Sequence, residues 1–159
     1  MDLKLFYALF LTIMPFTELR VGLPLAITYA LEKNIPLFQI FLLIVLLNIL
    51  IIFFIFYFLD NIHLSLMNFK IYRKNFEFLL KRFQKRVDKF EKKHESLGFL
   101  ALILFVAIPL PMTGAWSSCL ISWILGLDRK KSILSISLGV LIAGLFILIG
   151  TLGFLNLFS

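Results

Sequence analysis

Cysteine occurs once in this chain, at Cys119, and histidine only twice, at His63 and His94. A lone thiol cannot close an internal disulfide, and residues this scattered make no ligand set for a structural metal. No metal and no cofactor is therefore expected. Charge is equally sparse: 16% of residues are Asp, Glu, Lys or Arg, against roughly 25% in an average soluble domain. Nucleophile–base sets, phosphate-cradling glycine loops and metal-binding helix motifs are lacking too. An enzyme would have to work with Glu18 alone, so catalysis is not expected.

What fills the chain is apolar. Hydrophobic residues make up 61% and include 19 phenylalanines, and mean hydropathy is +1.00. A soluble domain of 159 residues leaves too much surface exposed to hide this composition from water. Ile35–Leu59 and Ile133–Leu155 each run uncharged for about 20 residues or more, enough to cross a hydrocarbon core. The N-terminal stretch, basic then apolar, resembles a signal peptide. Met14–Glu18 offers no small-x-small cleavage site, however, so the stretch is expected to stay in the mature chain.

Two further apolar regions are interrupted. Leu3–Leu31 is broken by Pro15, Gly22 and Pro24 around Thr17–Arg20, and Leu97–Leu127 by Pro109, Pro111 and Gly114. Each divides into arms of roughly 11–13 residues, about 17–20 Å if helical, too short for a core of about 30 Å. Such a region is either one kinked span or a hairpin that returns to the face it left.

Charge placement favours the hairpin. Ten of the 16 lysines and arginines lie between Lys70 and Lys93, giving the Asp60–Gly98 loop a net +5, and Asp128–Lys131 carries +2. Under the positive-inside rule both belong on the cytoplasmic side, which two re-entrant regions allow and two full spans do not. Nucleic acid is not expected as a partner, because no nucleic-acid-binding motif accompanies the charge. Within the loop, Tyr72, Phe76, Leu79, Phe83, Val87 and Phe90 recur at helical spacing opposite a basic face. That pattern predicts an amphipathic helix that joins two halves or lies on an anionic leaflet.

Shifted by 96 residues, Pro15-Phe16-Thr17 falls on Pro111-Met112-Thr113, and Ala30-Leu31-Glu32-Lys33 on Gly126-Leu127-Asp128-Arg129. The order of features also repeats: arm, Pro-x-Thr break, arm, acid–base turn, unbroken span. The expected fold is an all-α membrane protein of two inverted repeats, each a re-entrant helical hairpin plus one transmembrane helix. Repeat 1 is 1–59, the basic cytoplasmic connector 60–96 and repeat 2 97–159, forming a single multi-pass domain in the cell membrane.

Glu18 and Arg20 are the sharpest functional signal. A charge at mid-membrane costs roughly 2.5–3.5 kcal/mol even on insertion scales, so it lines a polar cavity or meets a partner. Snorkelling to a nearby interface is the plainer reading. Thr17 and Thr113 are expected to cap the arms that follow them, presenting free N–H groups to an anion. Glu18 points instead to a proton, a cation or a basic substrate. Thr17, Glu18, Arg20, Thr113 and Trp116 form the candidate substrate or ion site. Pro15, Gly22, Pro24, Pro109, Pro111 and Gly114 are the candidate structural breaks. Ser135, Gly139 and Ala143 form a small-residue stripe for close helix packing, within the chain or in a homodimer.

Glu18-Leu19-Arg20-Val21-Gly22-Leu23-Pro24 and Ile108-Pro109-Leu110-Pro111-Met112-Thr113-Gly114-Ala115-Trp116 resemble the signatures of the small multi-drug export protein family. Val21-Gly22 stands where Gly-Ala is usual there. That family is in turn distantly similar to DedA (VTT-domain) membrane proteins, which implies paired re-entrant hairpins and lipid or lipid-phosphate transport. Three functions remain open: proton- or ion-coupled export of a small amphipathic molecule, a lipid or lipid-phosphate flippase or scramblase, and a non-transporting membrane scaffold. Membrane lipids are partners in all three, and a small-molecule or lipid substrate in the first two.

Overall fold

Unbroken runs of leucine, isoleucine and phenylalanine satisfy their backbone locally in helices, and the two longest runs are the two longest elements. In the computed structural model, residues 2–15, 17–61, 74, 95–108 and 113–158 are described. They form six helices: α1 Leu3–Ile13, α2 Glu18–Glu32, α3 Leu37–Asn61, α4 Glu95–Ala107, α5 Ala115–Ile124 and α6 Arg129–Phe158. Helices α3 and α6 span about 37 and 45 Å at 1.5 Å per residue, long and apolar enough to cross a membrane. The other four are too short. The amphipathic helix expected between Asn68 and Glu95 lies outside the described residues, as do Pro109 and Pro111.

Helices α1 and α2 fold back on each other. Both oxygens of Glu32 accept from Lys4 Nζ at 2.7 Å. Asp2 accepts from the Tyr29 hydroxyl at 2.9 Å and meets Lys33 Nζ at 3.3 Å. These two contacts hold the Asp2 carboxyl below the usual carboxylate range. Half-exposed pairs contribute little stability, but they show that α1 starts where α2 ends. Helices α4 and α5 form a second hairpin, with Gly98 beside Leu127 at its open end. The second arm of each hairpin stops alike: Asn34 and Gly126 adopt left-handed backbone (φ 53° and 62°). The next residue's N–H then reaches back five positions, Ile35 to Ala30 and Leu127 to Ser122, the Schellman stop. Asp128 starts the following helix by accepting from the Lys131 N–H at 2.9 Å.

The hairpins enter from opposite ends of the α3–α6 pair. The first opens where α3 begins. The second opens where α3 ends, since Asp60 accepts from Arg129 Nη2 at 2.6 Å and from Trp123 Nε1 at 3.0 Å. Their tips meet halfway along the long helices. Leu23 and Ile27 of α2, Ile44 and Ile52 of α3 and Ile136 of α6 fill the core. The outward stripes are apolar as well: Phe38, Leu42, Leu46, Leu50, Phe53 and Tyr57 on α3, and Leu134, Leu138, Leu145 and Ile149 on α6, are all exposed. A belt of that size facing water would cost about 1.5–3 kcal/mol per side chain. Facing acyl chains, it costs nothing. The molecule is a membrane protein.

Close approach, not helix breaking, is the role of Gly22. A Cβ there would overlap Thr12 Oγ1 and lie 2.8 Å from the Ala8 carbonyl of α1. Gly139 does the same between α6 and α4, 2.6 Å from Val106 Cβ, so the small-residue stripe packs within the chain at that point. Gly22 and Pro24 both lie inside α2, which corrects their reading as breaks. Proline removes one donor and crowds the preceding turn, but α2 packs against α1, α3 and α6, and that packing holds it helical. The first interruption is confined to 14–17. Gly22→Val is expected to destabilise the protein by about 1–3 kcal/mol through overpacking, lowering the thermal midpoint in detergent. Gly150→Ala, which faces open space inside α6, does not lower that midpoint.

Candidate functional site

A helix that stops inside an apolar core leaves its last carbonyls without partners. α1 stops there, and three side chains from three places meet its end. Leu11 O accepts from Thr17 Oγ1 at 2.6 Å, Thr12 O from Asn48 Nδ2 at 3.3 Å and Ile13 O from Trp116 Nε1 at 3.1 Å. The Met14 carbonyl accepts from the Glu18 N–H at 3.0 Å.

Helix α5 has the opposite need, because its first N–H groups point into the same core. Glu18 meets it. Oε2 accepts from the Ala115 N–H and Oε1 from the Trp116 N–H, each at 3.1 Å. A carboxylate of the first hairpin thus caps a helix of the second, where the helix dipole favours negative charge. Glu18 is buried and holds left-handed backbone, φ 45°. That conformation costs a non-glycine residue about 1–3 kcal/mol, and the two hydrogen bonds hold it. Gly114 makes the fit possible, since a Cβ there would overlap the Glu18 carboxylate.

Arg20, half-buried, donates from Nη2 to Thr113 Oγ1 at 2.7 Å, and Thr113 Oγ1 donates to the Ile108 carbonyl at 2.9 Å. No ion pair joins Glu18 to Arg20 among the described residues. Both line one small cavity of about 10 Å³ with Leu19, Asn48, Val106, Gly114, Val140 and Ala143, space for about one water.

The residues read from sequence therefore meet, but in other roles. Thr17 and Thr113 do not cap the helices that follow them. Thr17 makes no cap hydrogen bond, and Gly114 occupies the N-cap position of α5. The partial positive charge at α5 is met from within, by Glu18. Trp116 contributes its backbone N–H to Glu18 and its indole to α1. Pro15 sits in the turn after α1. Sequence reasoning missed Asn48, which is 1% exposed. Its signal was present: the one amide between Gln39 and Asn61, in the middle of a long apolar run.

A family model described as "Putative small multi-drug export protein" matches residues 18–146. The chain belongs to that family. The matched stretch begins at Glu18 and takes in Arg20, Asn48, Thr113, Gly114 and Trp116, while the α1 end that they meet precedes it. No curated protein and no solved structure matches. The distant likeness to DedA proteins gains no support from these comparisons.

The fit between Gly114 and Glu18 makes their effects interdependent. Gly114→Ala is expected to lower the unfolding midpoint in detergent as much as Glu18→Ala does. Adding Gly114→Ala to Glu18→Ala costs little more, giving a coupling of about 1–3 kcal/mol in a double-mutant cycle. Additive losses would rule the contact out.

Proposed function

We propose that this protein exports small amphipathic molecules in exchange for protons, with Glu18 as the exchanged site. The observation that carries the proposal is the Glu18 carboxylate bridging the two hairpin tips at the N-terminus of α5. Ionised, it accepts from both N–H groups and complements the helix dipole. Protonation removes the charge and turns one oxygen into a donor, so the tips lose their tie and the space beside Arg20 and Asn48 can widen. Loss of the proton draws the tips together again. This couples protonation to opening without a further ligand.

In this reading α3 and α6 cross the bilayer and the hairpins are re-entrant, arranged as an inverted repeat in the cell membrane. The Asp2–Lys33 and Lys4–Glu32 pairs at one end and the Asp60–Arg129 pair at the other support it. The net positive Asp60–Gly98 loop faces the cytoplasm. Freed backbone at mid-depth is tolerated because protein groups satisfy it. Binding sites of many secondary transporters are built from such interrupted helices.

In proteoliposomes, uptake of a fluorescent amphipathic cation driven by a pH gradient is expected to fall at least about tenfold in Glu18→Gln. Wild-type uptake by that variant would defeat the proposal, and gradient-independent lipid movement would favour a flippase. Topology is tested separately, in a Cys119→Ala background. Cysteines at Asn61 and Lys130 are expected to label from the same side of the membrane. Labelling from opposite sides is incompatible with re-entrant hairpins.

A further inference from the structure

Among the described residues, two buried side-chain atoms have no hydrogen-bond partner: Ser122 Oγ and Arg129 Nη1. A buried hydroxyl left so is uncommon and calls for a reason. Both atoms belong to the stretch joining Glu18 to the Asp60 end of the molecule. Ala115, Ser118, Cys119 and Ser122 are the buried residues of α5, all on the face turned inward. Ala115 touches the Glu18 carboxylate. One turn on, Ser118 Oγ donates to the Gly114 carbonyl at 2.8 Å and keeps its lone pairs as acceptors. A further turn on lies Ser122, about 10 Å along the axis from Ala115. Cys119, between the two serines in sequence, lies within electrostatic reach of both Glu18 and Arg129.

At the far end, Asp60 accepts from Arg129 Nη2 and Trp123 Nε1, and the Arg129 guanidinium lies over the Phe56 ring, 4.1 Å from its centroid. The carboxylate offsets the guanidinium charge, so this end does not present an uncompensated cation to an approaching proton. The Asp60 and Arg129 side chains are 44% and 37% exposed, in reach of solvent.

We propose that the inner face of α5 is the route by which protons pass between Glu18 and the Asp60–Arg129 end, with Ser118 and Ser122 as its polar lining. A proton enters from water beside Asp60 and passes over the Ser122 and Ser118 hydroxyls with intervening water. It ends on a Glu18 oxygen, and release retraces the path with no net change in either serine. Arg20 and Asn48 face the same cavity from α2 and α3 and stay outside the path. The proposal rests on Glu18 as the exchanged proton site.

The test measures proton movement with a pH-sensitive dye inside proteoliposomes, beside amphipathic-cation uptake. Ser122→Ala is expected to slow proton movement at least about fivefold while Thr28→Ala, on the outer part of α2, leaves it unchanged. Ser122→Cys in a Cys119→Ala background is expected to react with a small water-soluble thiol reagent faster once Asp60→Asn loosens the mouth. Wild-type proton movement in Ser122→Ala, with Glu18→Gln inactive, would overturn the route and leave the Glu18 reading standing. An active Glu18→Gln would overturn both. A Ser122→Cys thiol that stays unreactive from both sides, with or without Asp60→Asn, would also overturn the route.

Discussion

The fold depends on one constraint: backbone groups freed inside an apolar core must find partners within the protein. Hydrocarbon offers none, and each unsatisfied group costs several kcal/mol. α1 ends and α5 begins inside that core, so each exposes groups of one polarity. The chain pairs them crosswise. Trp116 of the second hairpin closes an α1 carbonyl, and Glu18 of the first closes the α5 N–H groups. Among the described residues, the long helices add only Asn48 to this set. That scaffold can stay almost wholly apolar because the tips satisfy one another.

Much of this was legible in the amino-acid sequence. The two long helices follow from uninterrupted apolar runs and the short helices from the interrupted ones, while Glu18 and Arg20 stand out as charges in apolar surroundings. The pairings were not legible. Trp116 and Ile13 lie 103 positions apart, and neither periodicity nor spacing reports on contacts at that range. Thr17 and Thr113 carried a local capping signal, yet their hydroxyls turn to carbonyls of the arm before them, which its ended helix leaves without intrahelical partners. Pro24 carried a breaking signal that tertiary packing overrides. Gly22 carried the same signal for the opposite reason: it marks contact between helices.

The asymmetry of the two tips has a steric origin. Under the 96-residue shift Glu18 falls on Gly114, and the two positions meet at the centre of the molecule. Space there admits one side chain, as the overlap of a Gly114 Cβ with the Glu18 carboxylate makes plain. If the halves descend from one ancestral unit, a glutamate on both sides would have set two carboxylates against each other in a dry site, where like charges repel strongly. One glutamate and one glycine remove the clash and leave a single titratable group for both halves.

The crosswise pairing also bears on how the chain is assembled. As synthesis proceeds, the first hairpin reaches the bilayer before its counterpart exists. Until α5 arrives, Glu18 has no N–H groups to accept from, and the Ile13 carbonyl has no indole. Under the re-entrant topology proposed above, burying that hairpin alone would strand a carboxylate and a helix end in hydrocarbon. Its full insertion would then wait until the C-terminal hairpin docks, so that the last-made part of the protein drives the first-made part to its final depth.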